Sequence, residues 1–129
     1  MIYLIKEGKI NAANVPTPRS HSAAVLLQDG RILYIGGISQ TNPGEQGTPI
    51  DMKEIQVFDT VSLNWASKQA VFESTFIQPR SGHTANLAPD NKSIIIIGGT
   101  SGYGFASAAK PVMILLDISK EPYSYSELN

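Results

Sequence analysis

An internal repeat constrains the fold of this chain more than any other feature. Each copy contains, in the same order, a Pro-Arg pair, a histidine, an apolar run and a Gly-Gly pair. These markers are Pro18-Arg19, His21 and Gly36-Gly37 in the first copy, and Pro79-Arg80, His83 and Gly98-Gly99 in the second. The histidine and the first glycine are 15 positions apart in both copies (36 − 21 and 98 − 83). We therefore expect two similar structural units in register.

The rest of each copy predicts four short strands. Apolar runs bounded by turn residues place them at 22–27, 31–35, 54–58 and around Trp65, and again at 84–87, 93–97, 112–116 and near Tyr123. The second strand of each copy is nearly all apolar, which predicts burial on both of its faces. The segment 38–53 is polar and broken by Pro and Gly, so it is expected to be an irregular surface loop. A period of about 50 to 60 residues with four strands per copy is typical of radially stacked β units.

Two further markers identify the repeat. Asp59 is followed six positions later by Trp65 (65 − 59), and Asp117 is followed six positions later by Tyr123 (123 − 117). The order Pro-Arg, His, Gly-Gly, Asp, aromatic resembles the Kelch repeat over roughly 15–125. The first copy departs from the second by lacking one residue between Arg and His, and Tyr123 stands where the family prefers Trp.

The resemblance implies an all-β fold with two four-stranded antiparallel blades of a Kelch-type β-propeller. Residues 1–14 would be the remnant of a preceding blade, 15–76 the first blade and 77–129 the second. Closed propellers use about four to eight blades, so 129 residues predict an incomplete ring and a fragment of a longer protein. Because each blade is expected to bury both faces, the two blades are expected to need neighbouring blades or self-association.

Charge and composition disfavour several classes of function. The formal net charge of −1, with no basic stripe, disfavours nucleic-acid binding. The absence of cysteine excludes disulfides and thiolate metal sites within this sequence. Apolar runs are far shorter than the roughly 20 residues of a membrane-spanning helix, and the N-terminal stretch lacks the layout of a signal peptide. These features favour a cytoplasmic location.

The repeated polar residues are predicted to be structural. His21 and His83 have no Cys, Asp or Glu at metal-ligand spacing, so a hydrogen-bonding role is favoured over metal binding. Asp59 and Asp117 stand at strand ends and are predicted to accept hydrogen bonds from turn backbone. No cofactor is predicted.

The arginines, the aromatic markers and the glycines are interpreted in the same way. For Arg19 and Arg80, bracing of neighbouring loops is favoured over recognition of an acidic ligand. Trp65 and Tyr123 are predicted core aromatics between blades. The run 98–104 is glycine-rich, but no helix N-terminus follows it, so close backbone approach and positive φ are favoured over phosphate binding.

The loops at one rim are the predicted binding surface. In an antiparallel blade, the loop between the second and third strands and the connection to the next blade share a rim, and binding residues concentrate on loops of rigid scaffolds. The resemblance implies a non-enzymatic module that binds a protein partner there. The candidate contact residues are Ser39, Gln40, Asn42, Arg80, Ser101, Tyr103 and Phe105.

An alternative is a piece of a secreted copper oxidase that resembles galactose oxidase, which shares the Kelch-type propeller. That family's site needs a cysteine joined to a tyrosine, together with tyrosine and histidine ligands. This sequence has no cysteine, so the chemistry would require residues outside it. Metal analysis of the complete protein would distinguish the two hypotheses.

Overall fold

The structure, a computed structural model, describes residues 14–40, 42–101 and 107–128, and it is all-β in this part of the chain. Alternating apolar runs separated by turn residues form the strands. The strands are β1 (Arg19–Ser20), β2 (Ala23–Leu26), β3 (Arg31–Ile35), β4 (Ile38–Ser39), β5 (Thr48–Pro49), β6 (Glu54–Asp59), β7 (Asn64–Phe72), β8 (Thr84–Leu87), β9 (Ser93–Ile97), β10 (Met113–Asp117) and β11 (Tyr123–Glu127).

Eight of these strands form one sheet, with the order β2-β3-β6-β7-β11-β10-β9-β8. Neighbouring strands are antiparallel except at the middle, where 70–72 of β7 pair in parallel with 123–125 of β11. The strands at the two ends of this order, β2 and β8, contact each other, so the sheet is nearly closed on itself. The sheet therefore consists of two antiparallel four-stranded units, the first unit (β2, β3, β6, β7) and the second unit (β8, β9, β10, β11).

Most of the predicted strand ends agree with the structure to within two residues. Two segments differ. The strand around Trp65 continues to Phe72, because its last residues leave β6 and pair with β11 of the other unit. The segment 38–53 is not simply irregular. Its short strands β4 and β5 pair with each other, and β4 pairs with β1 to form a separate three-stranded sheet.

The register of the two units corrects the predicted equivalence of the histidines. Ala23 pairs with Ile35 and Thr84 pairs with Ile97, so Ser22 is the counterpart of His83, and His21 that of Gly82. The equal histidine-to-glycine spacing arises because the hairpin turn of the second unit is one residue longer: Leu27 donates to Arg31, whereas Ala88 donates to Ser93. A shift of one residue at the strand start is thus hidden by an insertion in the turn.

The aromatic markers are also shifted. Phe58 pairs with Trp65 and Leu116 pairs with Tyr125, so Tyr125 and not Tyr123 is the counterpart of Trp65. Tyr123 and Tyr125 are both buried in the shared core, as predicted for Tyr123. Trp65 is buried outside that core, with ring centroids 5.5 Å from Tyr34 and 5.0 Å from Phe58. Trp65 therefore does not lie between the two described units.

The core lies between the two units and uses one face of each. We call the face of the first unit that contacts the second unit the forward face, and the face of the second unit that contacts the first unit the backward face. The pairing register then identifies the forward face of the second unit and the backward face of the first. The forward face of the first unit packs on the backward face of the second, and the residues that meet are Leu33, Ile35, Ile55 and Val57 with Ile94, Ile96, Ile114 and Leu116. By register, the counterparts of these first-unit residues on the forward face of the second unit are, in the same order, Ile95, Ile97, Met113 and Leu115. The counterparts of these second-unit residues on the backward face of the first unit are Ile32, Tyr34, Gln56 and Phe58.

Candidate functional site

One end of the sheet brings together the segments 36–40, 42–53, 73–83, 98–101 and 107–112, and we call this end the loop edge. Gly37 N donates to Arg80 O at 2.8 Å, which joins the first segment to the second. Gln78 N donates to Lys110 O at 3.0 Å, and Ser81 and Thr100 exchange backbone bonds of 3.1 and 3.0 Å. These backbone bonds hold the loops against the sheet, so the loop edge is part of the rigid scaffold.

His83 ties the second unit to the first at this edge. Its Nε2 donates to Ile35 O at 2.9 Å, and its ring lies beside Gly36, where an added Cβ would be 2.7 Å from His83 Cε1. Burial lowers the pKa of His83 to about 4, so the ring is neutral at pH 7. The predicted structural role of His83 is confirmed.

His21 does not share this role. It is exposed with a φ of 59°, and the position it occupies is filled by Gly82 with a φ of 71° in the second unit. Its ring contacts the neighbouring Ser20 Oγ at 3.2 Å, while its carbonyl accepts from Gly82 N at 3.1 Å. The prediction that both histidines are structural through their rings is therefore wrong for His21, because the strand begins one residue later than the sequence spacing suggested.

Arg80 lies beneath the loop edge and not on it. Its side chain is buried, with Nη1 donating to Gly98 O at 3.1 Å and Nε to Gln78 O at 3.4 Å. Within the described residues Nη2 has no acceptor. Burial lowers the pKa of Arg80, and the nearby Tyr125 partly offsets this effect. The guanidinium therefore braces loop carbonyls, as favoured, and cannot serve as the surface contact for which Arg80 was a candidate.

Arg19 occupies the corresponding place in the first unit with a different partner. Its Nη2 lies 3.6 Å from Glu54 Oε1, and its Nε donates to Thr17 O at 3.4 Å. Burial lowers the pKa of Arg19, and Glu54 opposes that shift. Both arginines are therefore structural braces, and Arg19 in addition has a carboxylate for its charge.

Tyr125 is a structural residue of the loop edge that the marker spacing missed. Its hydroxyl donates to Met52 O at 2.6 Å across the two units, and burial raises its pKa. Met52 is itself fully buried. The signal was the spacing of residues on β11, since a strand places 123 and 125 on the same face.

Tyr125→Phe is expected to lower the free energy of unfolding by about 1 to 3 kcal/mol, because it leaves the Met52 carbonyl buried without a donor. Chemical denaturation checks this. As a control, Tyr34→Phe is expected to change stability by less, since Tyr34 is only partly buried and has no hydroxyl bond in the described structure. An unchanged stability for Tyr125→Phe would contradict the buried bond.

Three candidates lie on the β4–β5 hairpin and its loop, and of these Ser39 and Gln40 are half-buried and Asn42 is exposed. Gln40 Nε2 donates to Glu45 O at 2.6 Å and Asn42 Nδ2 to Glu45 Oε1 at 2.8 Å, while Ser39 Oγ donates to Thr48 O at 3.4 Å. These local bonds shape the hairpin, and Asn42 is exposed at its tip. Ser39, Gln40 and Asn42 therefore lie close together on one hairpin.

The candidates on the second loop are only partly described. Ser101 is half-buried, and its N donates to Ser107 O at 3.1 Å. Tyr103 and Phe105 lie outside the described residues.

A shallow groove of about 510 Å³ adds a feature that the sequence did not indicate. Phe76, Lys110 and Glu127 line it, and the side chain of Phe76 is 67% exposed. The ring of Phe76 lies edge-on to that of Phe72, with the ring centroids 5.7 Å apart. The groove therefore offers one aromatic side chain beside one cationic and one anionic side chain.

Asp59 and Asp117 lie at the opposite end of the sheet, and their predicted role is confirmed. Asp59 accepts from Val61 N at 2.8 Å and Ser62 N at 3.2 Å. Asp117 accepts from Ser119 N at 2.8 Å and Ser119 Oγ at 2.6 Å. These hydrogen bonds hold the pKa of both carboxyls below the ordinary value.

Two features are absent from residues 14–40, 42–101 and 107–128. These residues contain no group of three or more His, Cys, Asp and Glu side chains placed to bind a metal ion. The same ranges include no helix that is long and apolar enough to cross a membrane.

Comparisons with known proteins describe the fold alone. No family model and no curated protein matches the chain. A solved structure of a protein named YjhT matches with a TM-score of 0.56 and 14% identity. The alignment covers 88% of this chain and 32% of YjhT, so the chain spans about a third of the length of that structure. The chain is therefore similar in fold to a part of a longer protein.

Proposed function

We propose that the chain contributes two four-stranded blades to a Kelch-type β-propeller, and that its loop edge binds a partner protein without catalysing a reaction. The architecture and the binding surface have separate support. The architecture is supported by the packing of the two units, and the binding surface by the exposed side chains of the loop edge.

The packing of like units in one direction supports the propeller. The second unit follows the first by placing its backward face on the first unit's forward face, so the same step can be repeated. Stacking of units through a repeated nearest-neighbour contact is the property of repeat architectures, and a ring of four-stranded units is a propeller. The likeness to a segment of the longer YjhT chain is compatible with further units.

The exposed aromatic ring in the groove carries the proposal of partner binding. Phe76 is exposed although it is large and apolar, and its flanking Lys110 and Glu127 give the groove both signs of charge. Exposed aromatic residues fixed on a scaffold are favoured anchors of protein interfaces. The β4–β5 hairpin, with Asn42 at its tip, lies at the same edge and would extend the contact.

The buried polar groups of the edge favour binding over catalysis. His83 and Arg80 are closed off from solvent and bonded to the carbonyls of Ile35 and Gly98. A general base must reach the proton that it abstracts. These two side chains therefore support the shape of the surface and do not present a reactive group on it.

The test is photo-crosslinking from chosen positions in cells that produce the protein. A benzoylphenylalanine side chain at position 76 is expected to give a discrete adduct with another protein, and the adduct should weaken when Lys110→Glu reverses the adjacent charge. The matched control is the same probe at Val61, which is 80% exposed at the opposite end of the sheet. Equal adducts at 61 and 76, or none at 76, would contradict the proposal.

A further inference from the structure

The contact between the two units is directional, and the partner of one outer face is missing from the described chain. The forward face of the first unit is covered, because Ile35 and Ile55 are 0% exposed. Their counterparts on the second unit, Ile97 and Met113, are each 41% exposed. The same apolar pattern thus recurs on a face without a cover in the described chain.

The glycine that receives the neighbouring unit repeats this contrast. At Gly36 an added Cβ would lie 2.7 Å from His83 Cε1 and 2.8 Å from Arg80 O, so the second unit approaches the first closely there. Gly98 has the same place in the second unit and a similar φ of 78°, yet no described atom lies within 4 Å of its Cβ position. Among the described residues, the space beside Gly98 that a following unit would occupy is therefore open.

The first unit has the complementary surface. Leu26 is 64% exposed on its backward face, whereas its counterpart Leu87 packs against the shared core. Ile32 and Phe58 on this face are half-buried, whereas Gln56 and Trp65 on it are buried. The backward face of the first unit thus exposes Leu26 beside a partly buried apolar surface, at the register positions that the second unit uses to cover the first.

We propose that the forward face of the second unit binds the backward face of the first unit in a second copy of this chain. This inference rests on the proposed stacking of repeat units, and it names the occupant of the open face. The new contact would repeat between copies the contact that exists within the chain. Ser22 of one copy would lie beside Gly98 of the next copy, as His83 lies beside Gly36 within one chain. Such a head-to-tail contact joins unlike faces, and it forms rings or filaments according to its rotation.

A complementation experiment tests the direction of the contact. Ile97→Glu blocks the forward face of the second unit, and Leu26→Glu blocks the backward face of the first unit. We expect the wild-type chain to associate at micromolar concentration in sedimentation velocity, and each variant alone to be monomeric. A mixture of the two variants should form a heterodimer, because each one retains the face that the other lacks.

Controls separate association from folding and from partner binding. Val61→Glu changes an exposed apolar residue away from both faces and should associate like the wild type. Circular dichroism verifies that each variant is folded, and Ala24→Glu, also exposed on the backward face, replaces Leu26→Glu if the latter unfolds. Benzoylphenylalanine adducts at position 76 report on the proposed function independently of self-association.

Each outcome decides the proposal. A monomeric wild type, or a mixture that stays monomeric, would overturn it. Dimers of Leu26→Glu alone would also overturn it, since they would show that two forward faces bind each other. A heterodimer in the mixture alone is the result that supports head-to-tail association.

Discussion

Gly36→Ala is expected to lower the free energy of unfolding by about 3 kcal/mol. The residue has a φ of 68°, which costs an L-residue about 1 to 2 kcal/mol. The added methyl group would also lie 2.8 Å from Arg80 O, a backbone atom that cannot turn aside. Overpacking of this kind adds about 1 to 3 kcal/mol. Urea denaturation followed by the fluorescence of Trp65, the one tryptophan, measures the change.

Gly98→Ala is the matched control for this prediction. Gly98 has a φ of 78°, but no described atom lies within 4 Å of its Cβ position. In the monomer we therefore expect only the backbone cost, about 1 to 2 kcal/mol. Equal losses for the two variants would contradict the close approach of the second unit to Gly36.

Lowering the pH from 6.5 to 4 is expected to remove about 3 kcal/mol of stability through His83 alone. The pKa of His83 is about 4 in the folded protein and 6.5 when unperturbed. Between these values the unfolded chain binds a proton that the folded chain does not, so stability falls as pH falls. Well above pH 6.5 both states are neutral at this residue, and its contribution is constant. Unfolding free energies at pH 4 to 8 measure the slope.

One variant assigns this pH dependence to the buried ring. His83→Gln removes the titrating group and keeps an amide that can donate to Ile35 O, so the slope between pH 6.5 and 4 should become shallower. Parallel curves for the wild type and His83→Gln would show that His83 is protonated equally in both states.

The sequence predicted the strands well because their signals are local. Asp29-Gly30 and the Pro89-Asp90 turn end each first strand, and the apolar second strands β3 and β9 begin and end where predicted. The all-β fold follows from these signals. The equivalence of residues did not follow, since a one-residue shift at His21 and a one-residue insertion in the second turn compensate in the sequence and only the pairing register separates them.

The faces and the candidate site depend on contacts that no local pattern records. Ile94 to Ile97 are alike in sequence, yet Ile94 and Ile96 are fully buried while Ile97 is exposed, because the second unit has one neighbour in the described chain. The second face of β9 is thus uncovered within the described chain, as expected for two units that share one interface. Arg80 was a candidate surface residue, and its burial arises from the meeting of loops that are distant in sequence.

Stacking of like units in one direction brings unlike faces of two copies together, and cross-linking between two single-cysteine variants detects this contact directly. The sequence has no cysteine, so Ser22→Cys and Ile97→Cys each introduce one thiol. In a mixture treated with a short bismaleimide, we expect a covalent dimer that contains one copy of each variant and little product from either variant alone. Efficient cross-linking of Ile97→Cys with itself, or none in the mixture, would show that the units do not stack in one direction.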